Sequence, residues 1–97
     1  MEKTTDNNKL IAEFMGMEPN ENGMYQYTTS VDDYTTDDLS YFEYSWDWLM
    51  PVVEKCYDNG AEGEEIGDIT HALLDCDLKS TYQAVVQFIN QYNNQQL

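Results

Sequence analysis

Leu78-Lys79-Ser80-Thr81-Tyr82-Gln83-Ala84-Val85-Val86-Gln87-Phe88-Ile89-Asn90-Gln91-Tyr92 is the stretch from which the fold of this chain is read. Leu78, Tyr82, Val85, Ile89 and Tyr92 recur at intervals of four, three, four and three, which lays a single apolar stripe along a helix. Val86 and Phe88 widen the stripe, Asp77 is placed to cap the first turn, and the last residues are expected to fray. A stripe this broad has to be covered, so the segments upstream must supply a partner layer.

Upstream, Ser45-Trp46-Asp47-Trp48-Leu49-Met50-Pro51-Val52-Val53-Glu54-Lys55 reads as a second helix. The Ser45 hydroxyl is placed to cap it, Asp47 complements the helix dipole, and Leu49, Val52, Val53, Cys56 and Tyr57 fall at helical spacing. Pro51 lacks a backbone donor and crowds the preceding turn. Either the helix kinks there, or it begins near Pro51 and 46–50 form an irregular turn. Of Trp46 and Trp48, at least one is expected in the core beside Leu49 and Val52.

Two Tyr- and Thr-rich runs, 24–29 and 39–44, read as strands of an antiparallel hairpin with a long connection over 30–38. A lone hairpin is marginal in water, so it must pack on helices. Leu10, Ile11, Phe14 and Met15 lie on one side of a short helix, with Asn7 or Asn8 to cap it and Gly16 to end it. Residues 58–67, with three Gly and four acids, read as a loop, after which Asp68 caps a short helix holding Ile69, Ala72, Leu73 and Leu74. The expected fold class is α+β: a small antiparallel hairpin or sheet packed against three to four helices, with a long C-terminal amphipathic helix. Residues 1–8 read as a polar flexible tail, 9–93 as one domain and 94–97 as a frayed end.

Charge is the unusual feature. Nineteen Asp and Glu stand against four Lys and no Arg in 97 residues, a formal net charge of -15. No basic residue occurs between Lys9 and Lys55, so most of the intervening carboxylates must face water or a cationic partner. Direct nucleic-acid binding is excluded, because neutralising phosphates takes Lys and Arg, and anionic membranes are excluded for the same reason. A basic protein surface would attract the chain at long range. Negative charge also keeps a small protein soluble, which is the plainer explanation. The polar start of the chain has no signal-peptide pattern, and no apolar run approaches the about 20 residues of a membrane span, so a cytoplasmic protein is expected.

Aromatic content of 13 %, eight of these residues being Tyr, argues that most of the chain folds despite its charge. Catalysis needs a nucleophile, base or metal in a defined constellation, and none stands out; the chain is not expected to be an enzyme or to carry a cofactor. His71 with Asp75 or Cys76 is a metal-binding alternative, and an exposed helical His the simpler reading. Asp58-Asn59-Gly60-Ala61-Glu62-Gly63 starts like a calcium loop, but position three is Gly60 and position twelve is Ile69, where a bidentate Glu is needed. Cys56 and Cys76 belong to no metal or redox motif and are expected as free thiols.

The stretch Tyr27-Thr28-Thr29-Ser30-Val31-Asp32-Asp33-Tyr34-Thr35-Thr36-Asp37-Asp38 holds a Tyr-Thr-Thr step twice, each followed by an Asp pair. Carboxylates along an exposed edge with interleaved aromatics imitate a phosphate backbone with stacked bases. The alternative is a polar loop whose Thr and Asp satisfy turn geometry. The expected partner-binding residues are Asp32, Asp33, Tyr34, Asp37 and Asp38, with Glu62, Glu64 and Glu65 from the acidic loop.

Lys9-Leu10-Ile11-Ala12-Glu13-Phe14-Met15-Gly16, the Ser45 to Lys55 run quoted above and Tyr82-Gln83-Ala84-Val85-Val86-Gln87-Phe88-Ile89-Asn90-Gln91-Tyr92-Asn93 together resemble small uncharacterised phage and prophage proteins of the Bacteroidetes group. They cover about a third of the chain, and the tryptophan run is the most specific. The resemblance brings no assigned activity and no functional residues. The chain departs from the usual pattern at Phe42-Glu43-Tyr44, where relatives have a basic or His-containing approach, and in the acidic Gly-rich loop after Cys56. What the resemblance implies, by analogy with small acidic phage proteins, is an inhibitor of a host nuclease system of the anti-CRISPR or anti-restriction type. The partner would be a basic surface, as on a nuclease or another nucleic-acid-binding enzyme. The alternatives are an assembly protein that self-associates through aromatic surface, and a metal-binding domain.

Overall fold

A computed structural model describes the backbone of residues 3–29, 31–60 and 64–95, and the side chains of 6–29, 31–60 and 66–94. In chain order the elements are α1 (Lys3–Phe14), β1 (Tyr25–Thr28), β2 (Asp33–Thr36), α2 (Tyr41–Tyr44), α3 (Trp46–Asn59), α4 (Glu64–Leu74) and α5 (Leu78–Gln95). The fold is α+β: among the described residues, a two-stranded antiparallel sheet and five helices.

The amphipathic stripe makes α5 the hub, in contact with α1, α2, α3 and α4. Its buried face holds Tyr82, Val85, Val86, Phe88 and Ile89, and packs with Ile11, Phe42, Leu49, Val52, Val53, Cys56 and Ile69 in one core. Asp77 caps α5 as the sequence predicts, accepting the Ser80 N–H at 3.0 Å and the Ser80 hydroxyl at 2.9 Å. These two bonds hold the Asp77 carboxyl below the usual carboxylate range, the backbone bond contributing most.

α1 begins at Lys3 and so takes in most of the segment expected as a loose tail. Asn8, only 4 % exposed, shows why: its amide donates to Glu43 Oε2 at 2.6 Å and its carbonyl accepts from the Tyr82 hydroxyl at 2.7 Å. Gly16, at φ 74°, ends the helix in a left-handed turn, with Met17 N–H bonded to the Ala12 carbonyl and Gly16 N–H to that of Glu13. Lys55 closes the same end, its ammonium donating to the Phe14 carbonyl at 2.6 Å and lying 5.1 Å from the Phe14 ring centre.

The second strand is Asp33–Thr36, and 39–44 is not a strand. The Asp38 carboxylate accepts both the backbone N–H and the hydroxyl of Ser40, which turns the chain into the single turn of α2 and buries Phe42. α3 runs unbroken through Pro51, so 46–50 are helical. Pro51 is the sixth residue of α3 and forgoes the bond its N–H would make to the Asp47 carbonyl, a cost offset by the burial of Trp48, Leu49, Val52 and Val53 around it. Ser45 precedes α3, but its hydroxyl makes no capping bond.

α4 begins at Glu64, so the acidic loop is shorter than expected and Asp68 lies within the helix rather than at its cap. The turn into α5 repeats the ending of α1, with Cys76 in the left-handed position at φ 56° and Asp77 N–H bonded to the Ala72 carbonyl. Both cysteines are free; Cys56 is buried, which pushes its thiol up to about 12, and Cys76 is exposed.

Candidate partner-binding surface

The hairpin pairs Tyr25 with Thr36, Gln26 with Thr35, Tyr27 with Tyr34 and Thr28 with Asp33. Strand alternation sends Tyr27 and Tyr34 inward, while Asp33 and Thr35 face out. Tyr27 is buried; its ring lies 4.5 Å from that of Trp48 and its hydroxyl donates to the Trp48 carbonyl at 2.8 Å. Burial, and then the nearby Asp47 charge, push the Tyr27 phenol above its ordinary value.

Asp47, half-buried in the first turn of α3, is the second anchor. One of its oxygens accepts the Thr29 hydroxyl at 2.8 Å and the Tyr34 hydroxyl at 2.9 Å, fastening the hairpin turn and β2 to the helix. The Tyr34 phenol is raised above its ordinary value, first by this hydrogen bond, then by desolvation and the charges of Asp47 and Asp32.

Trp48 is fully buried among four rings: Tyr27, Phe42 at 4.9 Å, Tyr34 at 5.2 Å and Tyr41 at 5.0 Å, the last stacked. Among the described residues its indole N–H has no hydrogen-bond partner. The cluster continues outward, Tyr34 to Tyr41 at 5.9 Å and Tyr41 to Tyr44 at 5.5 Å. Tyr44, at 58 % exposed, is its surface end. Trp46 is half-buried against the core, so neither tryptophan is freely exposed.

These contacts redistribute the expected site residues. Asp32, Asp33, Asp37 and Asp38 are all exposed, but as two pairs at opposite ends of β2. With strand residues about 3.3 Å apart, Asp33 and Asp37 stand roughly 13 Å from each other along the strand. The Asp32 carboxylate accepts the Asp33 N–H, and the Asp38 carboxylate is committed to Ser40, whose side-chain bond foremost lowers its pKa. Asp33 and Asp37 are the two outward carboxylates not tied into turns. Tyr34 is half-buried with its hydroxyl on Asp47, so it is first a packing residue. Glu62 lies outside the described residues, as do the side chains of Glu64 and Glu65; the backbone places the last two at the start of α4.

Every described Asp and Glu is exposed except the half-buried Glu43 and Asp47. The distribution is uneven, because α5 carries no acid at all. Its outer face presents Lys79, Ser80, Gln83, Gln87, Asn90 and Gln91. The molecule therefore has one polar face free of acids, with its negative charge on the hairpin and the other helices.

Among the described residues no group of three or more His, Cys, Asp and Glu could hold a metal, and His71 stands exposed on α4. No described helix is long and apolar enough to cross a membrane. A hollow of about 390 Å³ beside the end of α1 is lined by Lys9, Glu13, Glu18 and Tyr25 among others. Sequence reasoning passed over Asp47 as an anchor, along with Tyr41 and Tyr44. Their signal was present as a Tyr, Phe and Trp density over 41–48 higher than one buried strand needs. No protein-family profile, curated protein or solved structure matches the chain.

Proposed function

We propose that this chain is a non-catalytic binding protein whose negative surface occupies a basic, nucleic-acid-handling surface of a partner enzyme, in the manner of an anti-CRISPR or anti-restriction inhibitor. The observation that supports this reading is the pairing of a net charge of -15 with near-complete exposure of the described carboxylates. Such a field accelerates encounter with a cationic surface and repels nucleic acid. Asp33 and Asp37, on the outer face and end of β2, carry the leading contacts, and the turn carboxylates Asp32 and Asp38 add to the field.

The test begins with capture of partners from host lysate at low salt, followed by salt elution and identification. Association of the purified partner is then measured with the native chain and with a variant carrying Asn at 32, 33, 37 and 38. Association of the variant should slow more than dissociation quickens, and nucleic acid should compete for the partner. Binding that ignores salt, or identical kinetics for the two chains, would overturn the reading.

Self-association through aromatic surface is a second reading, favoured by Tyr44 at 58 % exposed with Tyr41 behind it. Mass in solution separates the two. A self-associating chain grows as salt screens its like charges, while a partner-binding monomer keeps its mass.

A further inference from the structure

The aromatic run Tyr34–Tyr41–Tyr44 leads from the Trp48 cage to solvent beside a negative potential. Consecutive ring centres are 5.9 and 5.5 Å apart, and Tyr41 is backed by the stacked Trp48 indole at 5.0 Å. The track is thus rigid at one end and 58 % exposed at Tyr44. At the inner end the Asp47 carboxylate accepts the Tyr34 hydroxyl at 2.9 Å, and the exposed Asp32 stands two residues before Tyr34 in the chain. An exposed ring at one end of the track and an exposed carboxylate at the other suit flat, delocalised cations, which stack on a ring face at the one and fork onto the carboxylate at the other.

Resting on the partner-binding reading above, we propose that this tyrosine track is the anchor for arginine side chains of the basic partner, with guanidinium groups stacking at Tyr44 and pairing at the Asp32 end. Charge complementarity selects the occupant: a chain of net charge -15 with no Arg of its own cannot fill the track with a second copy of itself on these terms. Lysine meets the same carboxylates, but its compact, strongly hydrated ammonium stacks less well on a ring. The track therefore adds a preference for Arg over Lys to a surface that would otherwise read only charge.

The test titrates the full chain at low ionic strength with two blocked peptides of equal charge, Arg-Gly-Arg-Gly-Arg and Lys-Gly-Lys-Gly-Lys, following amide chemical shifts. The arginine peptide should bind about two- to five-fold more tightly. Tyr44→Ala, at an exposed position, should remove that difference and leave lysine-peptide binding as it was. Asp32→Asn should weaken both peptides. Equal affinities in the native chain, or an arginine preference that survives Tyr44→Ala, overturn the proposal. If both peptides bind equally and lose affinity with salt, the acidic-surface reading stands and the tyrosine track fails alone. If neither binds, both fail.

Discussion

The Tyr82 hydroxyl and the Asn8 side-chain carbonyl, 74 residues apart in sequence, meet at 2.7 Å inside the protein. The same Asn8 amide reaches Glu43, so one buried side chain ties α1 to both α5 and α2. Burial first, and then the Glu43 charge, raise the Tyr82 phenol above its ordinary value.

Removing either partner leaves a desolvated polar group behind. Tyr82→Phe is expected to cost about 1–2 kcal/mol, and Asn8→Leu as much or more because it strips partners from both Tyr82 and Glu43. Chemical denaturation of the two variants checks this. An Asn8→Leu variant as stable as the native chain would mean that the Asn8 bonds do not hold the start of α1 in place.

The tyrosines set the alkaline limit of the fold. Tyr27, Tyr34 and Tyr82 all have phenols raised above the ordinary value of 10.0, so the folded state binds protons more tightly than the unfolded state. Their contribution to stability is fully present below about pH 10 and is lost as pH climbs through the folded values. Stability should thus begin to fall from about pH 9, where the buried Cys56 thiol, pushed up to about 12, first resists ionisation, and fall more steeply above pH 10 as the tyrosines join it. In Asp47→Asn the phenolate absorbance titration should begin at lower pH, because the charge opposing ionisation of Tyr34 and Tyr27 is gone. An unchanged titration would detach Asp47 from both tyrosines.

Cys76 occupies a left-handed backbone position that glycine adopts without strain. Cys76→Gly should raise stability by about 1 kcal/mol, with an unchanged denaturant slope, while Cys76→Val should lower it by a similar amount. The Gly16 turn at the end of α1, with the same hydrogen bonds, shows the preferred residue already in place.

Like-charge repulsion works against the compact state of a chain this acidic. Thermal stability should therefore increase with sodium chloride, by roughly 4–8 °C if screening restores 1 kcal/mol. A melting temperature that falls with salt would mean that ion pairs, not burial, hold the fold.

The features legible in the sequence were those fixed by neighbours along the chain. The stripe of α5, its Asp77 cap, the Gly16 ending of α1 and strand β1 depend on spacing or on one turn, and the structure has them where spacing puts them. The second strand was misplaced because Leu39-Ser40-Tyr41-Phe42-Glu43-Tyr44 has the composition of a strand, whereas Asp33-Tyr34-Thr35-Thr36 offers one large apolar side chain. What selects 33–36 is remote: Asp47 holds Tyr34 and Thr29, and Trp48 receives Tyr27. The burial of Asn8 was hidden for the same reason, since its partners lie 35 and 74 residues away. At the candidate site the exposure of the four Asp was readable, but their division into two ends of a strand follows from register alone.

Every other described helix rests on α5. Stability in such an arrangement is shared rather than regional. The backbone amides of α1, α3 and α4 should exchange with deuterium through one common opening, and a fragment lacking α5 should keep no protected core of its own. The cooperativity of this small protein is thus a property of its topology, set by a single helix on which all the others converge.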